Sequence, residues 1–210
     1  MKGIFITLEG PDGSGKTTQI KYLNEYLTKK GFEVVLTREP GGTVISERIR
    51  QIILDINHKE MSDMTEALLY AAARAQHVDQ VIKKSLDEGK IVICDRFVDS
   101  SVTYQGLARG LGMELIESIN KFATNGITPD ITILLDIQAE QGIKRKKSQA
   151  ELDRLEVEKL EFHKKVCEGY KILAQNNKDR IKTIDGSKSI EEIKNQVIKL
   201  IDDILNKARD

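Results

Sequence analysis

The sequence has few cysteines, no excess of either charge and no long apolar run. Its two cysteines, Cys94 and Cys167, lie far apart and form no metal-binding spacing, which is typical of a reducing compartment. Lys plus Arg and Asp plus Glu each number 33, so no overall positive field attracts nucleic acid. No apolar run approaches the ~20 residues that span a bilayer, and the N-terminus lacks a signal-peptide pattern. We therefore expect a cytoplasmic protein that binds neither membranes nor nucleic acid.

A length of 210 residues predicts one domain, residues 1–210, with a substantial core. Short apolar runs, most of them rich in β-branched residues, predict strands at 3–9, 32–37, 90–95, 130–136 and 180–185. Helical patterns separate them, including a long one over 62–86 and a C-terminal one that begins with the capping box Ser189–Glu192. This alternation predicts an α/β fold, in which a parallel sheet carries helices on both faces.

A glycine cluster follows the first predicted strand. The segment EGPDGSGKTT, residues 9–18, matches the P-loop pattern G-x-x-x-x-G-K-[ST] and precedes a helical stretch. Glycines let backbone N–H groups surround phosphate oxygens, and the N-terminus of the following helix faces the same anion. Lys16 can then reach the β- and γ-phosphates, and the Thr17 hydroxyl can coordinate magnesium. The segment predicts binding of a nucleoside triphosphate.

Arginine–carboxylate pairs follow the second and third predicted strands. They are Arg38 with Glu39, and Asp95 with Arg96. Ligands bind at the carboxyl ends of the strands in open parallel sheets, so both pairs should lie beside the P-loop. Arginine pairs with phosphate oxygens in a bidentate manner, and Asp95 stands where P-loop enzymes have a magnesium-associated carboxylate. Either pair alone is as readily structural, but two pairs beside a P-loop favour phosphate handling.

Tyr70 and Arg74 are four residues apart on the long predicted helix, so they share a face. A ring beside a guanidinium can stack on a base and bind its edge. Core packing with a surface arginine is the more common meaning of such a pair taken alone. The three histidines, His58, His77 and His163, stand singly, and we interpret them as structural or surface residues.

Taken in order, four motifs resemble the bacterial thymidylate kinases over nearly the whole chain. They are P-D-G-S-G-K-T-T, T-R-E-P-G-G, the helix pair Y-x-x-x-R, and D-R-F-x-D-S-S-x-x-Y-Q-G. The resemblance implies a P-loop kinase fold with a five-stranded parallel sheet, a short lid at about 142–155 and a homodimer. It also implies transfer of the γ-phosphoryl group of ATP to dTMP, with Mg²⁺.

The resemblance further implies roles for individual residues. Those that would hold ATP are Gly10, Pro11, Asp12, Gly13, Ser14, Gly15, Lys16, Thr17, Thr18 and Arg154. Those that would bind dTMP are Asp12, Arg38, Arg50, Tyr70, Arg74, Arg96, Ser101, Tyr104 and Gln105. The magnesium shell would include Thr17, Glu39 and Asp95, and the catalytic cations would be Lys16, Arg38, Arg96 and Arg145.

Within the dTMP site the implied roles divide the nucleotide among separate residues. Arg38 and Arg96 would grip the phosphate, and Asp12 would bind the 3′-hydroxyl. Tyr70 would stack on thymine. Ser101 and Gln105 would complete base recognition beside Arg74, while Tyr104 would crowd the 2′ position of the sugar.

The lid is the segment where the chain departs from the family pattern. Its P-loop carries no arginine, so the lid should supply one, yet the usual lid positions hold Gln149 or Ala150. We choose Arg145, because arginine bridges two phosphoryl oxygens where lysine acts as a point charge. Lys146 and Lys147 are reserves, and Arg154 would anchor the lid or touch the adenine. A solvated helix face is the usual meaning of such a basic run.

Two other functions compete with this interpretation. One is a kinase for another nucleoside monophosphate, such as dCMP, UMP or AMP. The other is a regulatory P-loop NTPase that changes shape to bind a partner, although the N-K-x-D motif of switch GTPases is absent.

Overall fold

A five-stranded parallel sheet forms the centre of the protein, whose computed structural model describes residues 3–147 and 153–207. The strands are β1 (Ile4–Glu9), β2 (Val34–Arg38), β3 (Ile91–Asp95), β4 (Ile131–Asp136) and β5 (Ile181–Asp185). Their order across the sheet is β2-β3-β1-β4-β5, with every neighbouring pair parallel. The predicted α/β fold is confirmed, and the five predicted strands lie within two residues of their observed bounds.

Helices connect the strands. They are α1 (Lys16–Lys29), α2 (Val44–Leu54), α3 (Asp63–His77), α4 (Lys83–Asp87), α5 (Val98–Ser101), α6 (Met113–Ala123), α7 (Ala139–Lys147), α8 (Leu160–Asn176) and α9 (Ile190–Lys207). π-helical turns at Val78–Ile82 and Val102–Ala108 lie between α3 and α4 and after α5. The long helix predicted over 62–86 is therefore one helical run in which a π-turn interrupts the α-geometry.

Alternate residues of β1 face opposite helical layers, as expected for a strand buried on both sides. Ile6 and Leu8 pack with the apolar faces of α1 and α9. Phe5 points the other way, toward Val78 and Ile82 of the π-turn after α3. The sheet consequently has helices on both faces, and its strands end together at one edge.

The capping box predicted for the C-terminal helix is confirmed. The capping box begins α9, since Ser189 N–H donates to Glu192 (3.0 Å) and Glu192 N–H donates to Ser189 Oγ (3.3 Å). Cys94 and Cys167 are free and buried. The lid positions Gln149 and Ala150 lie outside the described residues. No helix in the described ranges is both long and apolar enough to cross a membrane.

Candidate active site

A cavity of about 860 Å³ opens at the carboxyl ends of the strands, a volume that suits small-molecule sites. Its walls combine the P-loop, the ends of β2 and β3, and one face of α3. It is lined by most residues predicted for the site: Asp12, Gly13, Ser14, Gly15, Lys16, Thr17, Thr18, Arg38, Glu39, Arg50, Tyr70, Arg74, Asp95, Arg96, Ser101, Tyr104, Gln105 and Arg145. Gly10, Pro11 and Arg154 do not line it.

The P-loop has the backbone that its glycines predict. Gly13 and Gly15 adopt positive φ angles of 75° and 95°. A Cβ on Gly13 would overlap the carbonyl of Gly142 in α7, and one on Gly142 would overlap the Asp12 carbonyl. The loop and α7 therefore approach each other with no side chain between them.

Lys16, the first residue of α1, is buried beneath the loop. Its Nζ donates to the carbonyl oxygens of Gly10 (3.0 Å) and Pro11 (3.2 Å). Burial, followed by the nearby positive charge of Arg96, lowers the pKa of Lys16 to about 8. At pH 7 the ammonium remains mostly charged, and the two carbonyl oxygens and the nearby carboxylates of Asp95 and Asp12 offset part of its cost of burial.

Arg96 joins the P-loop to the opposite wall of the cavity. It has a positive φ of 69°, a strained conformation for a non-glycine residue. Its Nη2 pairs with Asp12 Oδ1 at 2.7 Å, and its Nη1 donates to Ser100 Oγ (3.2 Å) and Tyr170 OH (3.1 Å). Burial alone would raise the pKa of Asp12, but Arg96 and then Lys16 hold it well below its usual range. Asp12 is therefore an anion between two cations, the buried Lys16 and the partly buried Arg96.

Glu9 lies behind Arg96, at the end of β1, and is fully buried. One carboxylate oxygen accepts from the N–H groups of Phe97 (2.7 Å) and Ser100 (3.3 Å). The other accepts from Ser100 Oγ (2.5 Å) and Tyr170 OH (2.9 Å). Glu9 thus holds both the backbone after Arg96 and the two hydroxyls that the guanidinium contacts. Neither Glu9 nor Tyr170 was predicted from the sequence, although an acidic residue at the end of the apolar strand β1 is a usable signal for Glu9.

Tyr104 contributes a wall next to Asp12. The π-turn Val102–Ala108 carries it, and such turns are frequent at functional sites. Its hydroxyl donates to Asp12 Oδ2 (3.2 Å), and its ring lies 5.3 Å from the Arg96 guanidinium carbon. The residues predicted for the two sugar hydroxyls, Asp12 and Tyr104, are therefore in direct contact.

Arg74 is buried and held by three partners. Its Nε donates to Glu39 (2.7 Å), its Nη1 to Asn120 (2.5 Å) and its Nη2 to the Phe97 carbonyl (3.1 Å). The other Glu39 oxygen lies 2.9 Å from His77 Nδ1. Glu39 thus fixes Arg74 against the cavity wall, and its predicted place in the magnesium shell stays a prediction.

Two further arginines flank the loop after β2. Arg38 forms an ion pair with Glu47 at 3.0 Å, and Arg50 Nη1 donates to the carbonyl of Pro40 (2.9 Å). The Arg38 side chain is about half exposed, at 53%. Arg38 and Arg50 both line the cavity on the side away from the P-loop. Because its ion pair with Glu47 is exposed, Arg38 can exchange Glu47 for a bound anion.

Several polar atoms near the P-loop are buried with no hydrogen-bond partner among the described residues. They include Asp95 Oδ1, Ser14 Oγ and Ser101 Oγ. A buried oxygen without a partner is costly, so each is an acceptor or donor available to a ligand. The described residues contain no cluster of three or more His, Cys, Asp or Glu with metal-binding geometry. A cation here would need oxygens from a bound molecule as well.

The lid residues separate into two groups. Arg145 lines the cavity, and its Nη1 donates to the carbonyls of Gly13 (3.3 Å) and Gly186 (3.2 Å). Lys146 also lines the cavity and pairs with Glu156 at 2.9 Å, and the side chain of Lys147 lies outside the described residues. Arg154 is buried elsewhere and does not line the cavity.

Arg154 instead belongs to an ionic cluster around Glu66 of α3. Its Nη2 donates to Glu66 (2.5 Å) and its Nε to the carbonyl of Ile53 (2.8 Å). Arg109 and Gln105 donate to the same carboxylate. Gln105 also lines the cavity, as Tyr70 does. Through Gln105 the Glu66 cluster therefore contacts the predicted base site. Glu66 and Arg109 were not predicted from the sequence.

Comparison with known proteins gives concordant results. A family model described as Thymidylate kinase matches residues 8–197. A thymidylate kinase of Geobacillus sp. (strain WCH70) is 54% identical over 195 residues, which cover 92% of this chain and 93% of the relative. One of Latilactobacillus sakei subsp. sakei (strain 23K) is 52% identical over 204 residues, covering 96% and 95%. A crystal structure of thymidylate kinase from Ehrlichia chaffeensis superposes with a TM-score of 0.79 at 35% identity, covering 96% and 99% of the two chains.

Proposed function

The chain belongs to the thymidylate kinase family, and from that membership we propose how its own residues carry out the ATP-dependent phosphorylation of dTMP to dTDP. The observation that carries the proposal is the pairing of Arg96 with Asp12 beside the buried Lys16. It brings three charges together where the P-loop meets the rest of the cavity. Phosphoryl transfer depends mainly on positioning and on stabilising charge around the moving group.

ATP binds with its phosphates in the P-loop. The loop's glycines and the N-terminus of α1 supply backbone donors, and Lys16 supplies a charge for the transferred group. The two carbonyl bonds of Lys16 keep its ammonium under the loop until phosphate oxygens replace them. Arg145 contributes a second cation from α7, supported by its bond to the carbonyl of Gly13 within the loop itself.

dTMP binds in the other half of the cavity. Arg96 and Arg38 hold its phosphate, with Arg50 as a further cation, and leave the attacking oxygen pointing at the γ-phosphorus. Tyr70 and Arg74 take the base, and Ser101 contributes its unpartnered hydroxyl. Asp12 accepts from the 3′-hydroxyl. Tyr104 fills the space that a 2′-hydroxyl would need, which explains a preference for deoxyribose sterically.

Mg²⁺ accompanies ATP in this proposal, with Asp95 and Thr17 as its protein-side partners. The buried, unpartnered Asp95 Oδ1 and the exposed Thr17 at the start of α1 support that choice. When bound, the ion neutralises charge on the β- and γ-phosphates. Few protein ligands are expected for Mg²⁺, since it usually combines one or two carboxylates with phosphate oxygens and water.

We also propose that the protein forms a homodimer and is located in the cytoplasm. Exposed apolar side chains lie on α2, α3 and α6, three helices that pack in that order: Ile45, Ile52, Leu68, Leu115 and Phe122. Such a patch on one side of a molecule is typical of an interface. The free, buried cysteines suit a reducing compartment.

A coupled assay of ADP release tests the reaction directly. We expect release to depend on dTMP, and to be far slower with dCMP, UMP or AMP as acceptor. ADP release at the same rate without any acceptor would contradict the kinase and favour an NTPase. A different preferred acceptor would keep the kinase and reject the proposed base site.

A further inference from the structure

The orientation of the Gln105 side-chain amide in the cavity is fixed by Glu66, which lies behind it. It is 1% exposed, and its Nε2 donates to Glu66 Oε1 at 2.8 Å. A carboxylate can only accept hydrogen bonds, so the amide nitrogen must face Glu66. The carbonyl oxygen of Gln105 is then the end left for the cavity.

Glu66 is itself held in one position. Arg109 donates to both of its oxygens (3.3 and 3.1 Å), and Arg154 donates to Oε2 (2.5 Å). Glu66 is 1% exposed, and two guanidiniums supply the positive charge that a buried carboxylate needs. Arg154 is fixed in turn by the carbonyl of Ile53. The carboxylate can neither rotate away from Gln105 nor offer it a donor.

We propose that Glu66 determines base specificity by fixing the Gln105 amide with its oxygen toward the base. This inference rests on the proposed function, in which Gln105 takes part in base recognition. Thymine and uracil carry a hydrogen on N3, which a carbonyl oxygen accepts. Cytosine has a bare acceptor at N3, which the same oxygen repels. Glu66 touches no substrate and is a positioning residue.

The substitution Glu66→Gln tests this with almost no change of shape. The new side chain has one oxygen and one NH₂ group. Two guanidinium donors meet at the position of Oε2, at 3.1 and 2.5 Å, but only one, the longer Arg109 Nε bond of 3.3 Å, reaches Oε1. The oxygen therefore settles at the Oε2 position, and the NH₂ group faces Gln105. Gln105 then turns its own oxygen toward residue 66 and its NH₂ group toward the cavity. That arrangement suits the N3 of cytosine and repels the N3–H of thymine.

We expect Glu66→Gln to lower the ratio of kcat/KM for dTMP to that for dCMP by about tenfold or more, mainly through the dTMP KM. The ratio of dTMP to dUMP should stay constant, because both bases carry N3–H. Glu158→Gln is the matched control, since Glu158 binds Arg109 at 2.5 Å and has no bond to Gln105. This control should keep the wild-type acceptor ratios.

A purely structural role for Glu66 would lower the rates with all acceptors in proportion, and an unchanged dTMP:dCMP ratio would overturn the proposal. If Glu66→Gln does not fold, Glu66→Asp retains the charge for both arginines but withdraws the carboxylate from Gln105. It should lower the same ratio, and a wild-type ratio in that variant would also overturn the proposal. Wild-type protein is assayed alongside: if it does not phosphorylate dTMP, the proposed function fails first. If it does phosphorylate dTMP, the acceptor ratios of the variants test the role of Glu66 alone.

Discussion

At the scale of single residues, Lys16 has the most direct link to chemistry. Lys16→Ala should reduce kcat by several orders of magnitude, because its charge stabilises the transferred phosphoryl group in the transition state. Steady-state kinetics with ATP and dTMP measure the loss. Lys21→Ala, on the exposed side of α1, serves as the matched control and should keep wild-type turnover. Near-normal kcat in Lys16→Ala, with the fold retained, would contradict the assignment.

Glu9 is a second residue whose effect can be predicted, here through pH. Burial, and after it the charge of Asp99, raises the pKa of Glu9 from 4.5 to about 7. The native state therefore keeps a proton on Glu9 that the unfolded chain has lost between about pH 4.5 and 7. Its contribution to the free energy of unfolding falls as pH rises through that window and is level above it.

Glu9→Gln removes this titration. We expect the difference in unfolding free energy, wild type minus variant, to decrease between pH 5 and pH 7, as measured by chemical denaturation. The variant should also lose kcat, because an amide NH₂ group replaces one of the acceptor oxygens that hold the segment after Arg96. A difference that is constant with pH would show that Glu9 does not titrate in this range.

At the scale of elements, the π-turn Val102–Ala108 brings Tyr104 to Asp12, the proposed position of the sugar. Tyr104→Ala should narrow the gap in kcat/KM between dTMP and its ribose counterpart, because it opens the space beside the 2′ carbon. Tyr104→Phe keeps the ring, loses only the 3.2 Å bond to Asp12, and should retain the preference for deoxyribose. If the two variants discriminate equally well, the steric role of the ring is wrong.

Helix α7 is the element that carries Arg145. Arg145→Ala should lower kcat by about 10²-fold or more with little change in the dTMP KM, as expected for a charge used in the transition state. Lys144→Ala is the neighbouring control, because Lys144 is exposed on the same helix and does not line the cavity. Arg154→Ala should change stability more than the ATP KM, since it breaks a buried ion pair with Glu66. A large rise in the ATP KM would restore its predicted role.

At the scale of the whole molecule, the exposed apolar patch predicts self-association. Leu68 is 51% exposed at the middle of that patch, on α3. Leu68→Glu should shift the protein from dimer to monomer in sedimentation velocity, because it buries a charge in the interface. Val157→Glu, a change at another exposed apolar residue, should leave the dimer intact. A wild-type monomer at micromolar concentration would refute the dimer.

The sequence predicted those parts of the molecule that depend on local pattern. The strands, the P-loop and the strand-end arginines follow from periodicity and from residues within a few positions of one another. Glu9 and Tyr170 are 161 residues apart, and Glu66 and Arg154 are 88 apart, so no local pattern indicates that they bind. Arg154 was predicted to anchor the lid or touch the adenine, and its observed partner, Glu66, is a buried carboxylate of another helix. The π-turns also escaped prediction, because their residues fit ordinary helical spacing.

The contact between Gly13 and Gly142 determines how closely the position of Arg145 follows that of the P-loop. Where two elements meet through side chains, rotamers can absorb a small displacement of either partner. Here backbone meets backbone, so no adjustable part lies between the P-loop and α7. Any displacement of the P-loop therefore displaces α7 by the same amount, and Arg145 lies only three residues beyond Gly142. The position of the Arg145 guanidinium relative to the P-loop therefore depends on the main-chain fit between Gly13 and Gly142. Even a methyl group on Gly142 would shift that guanidinium.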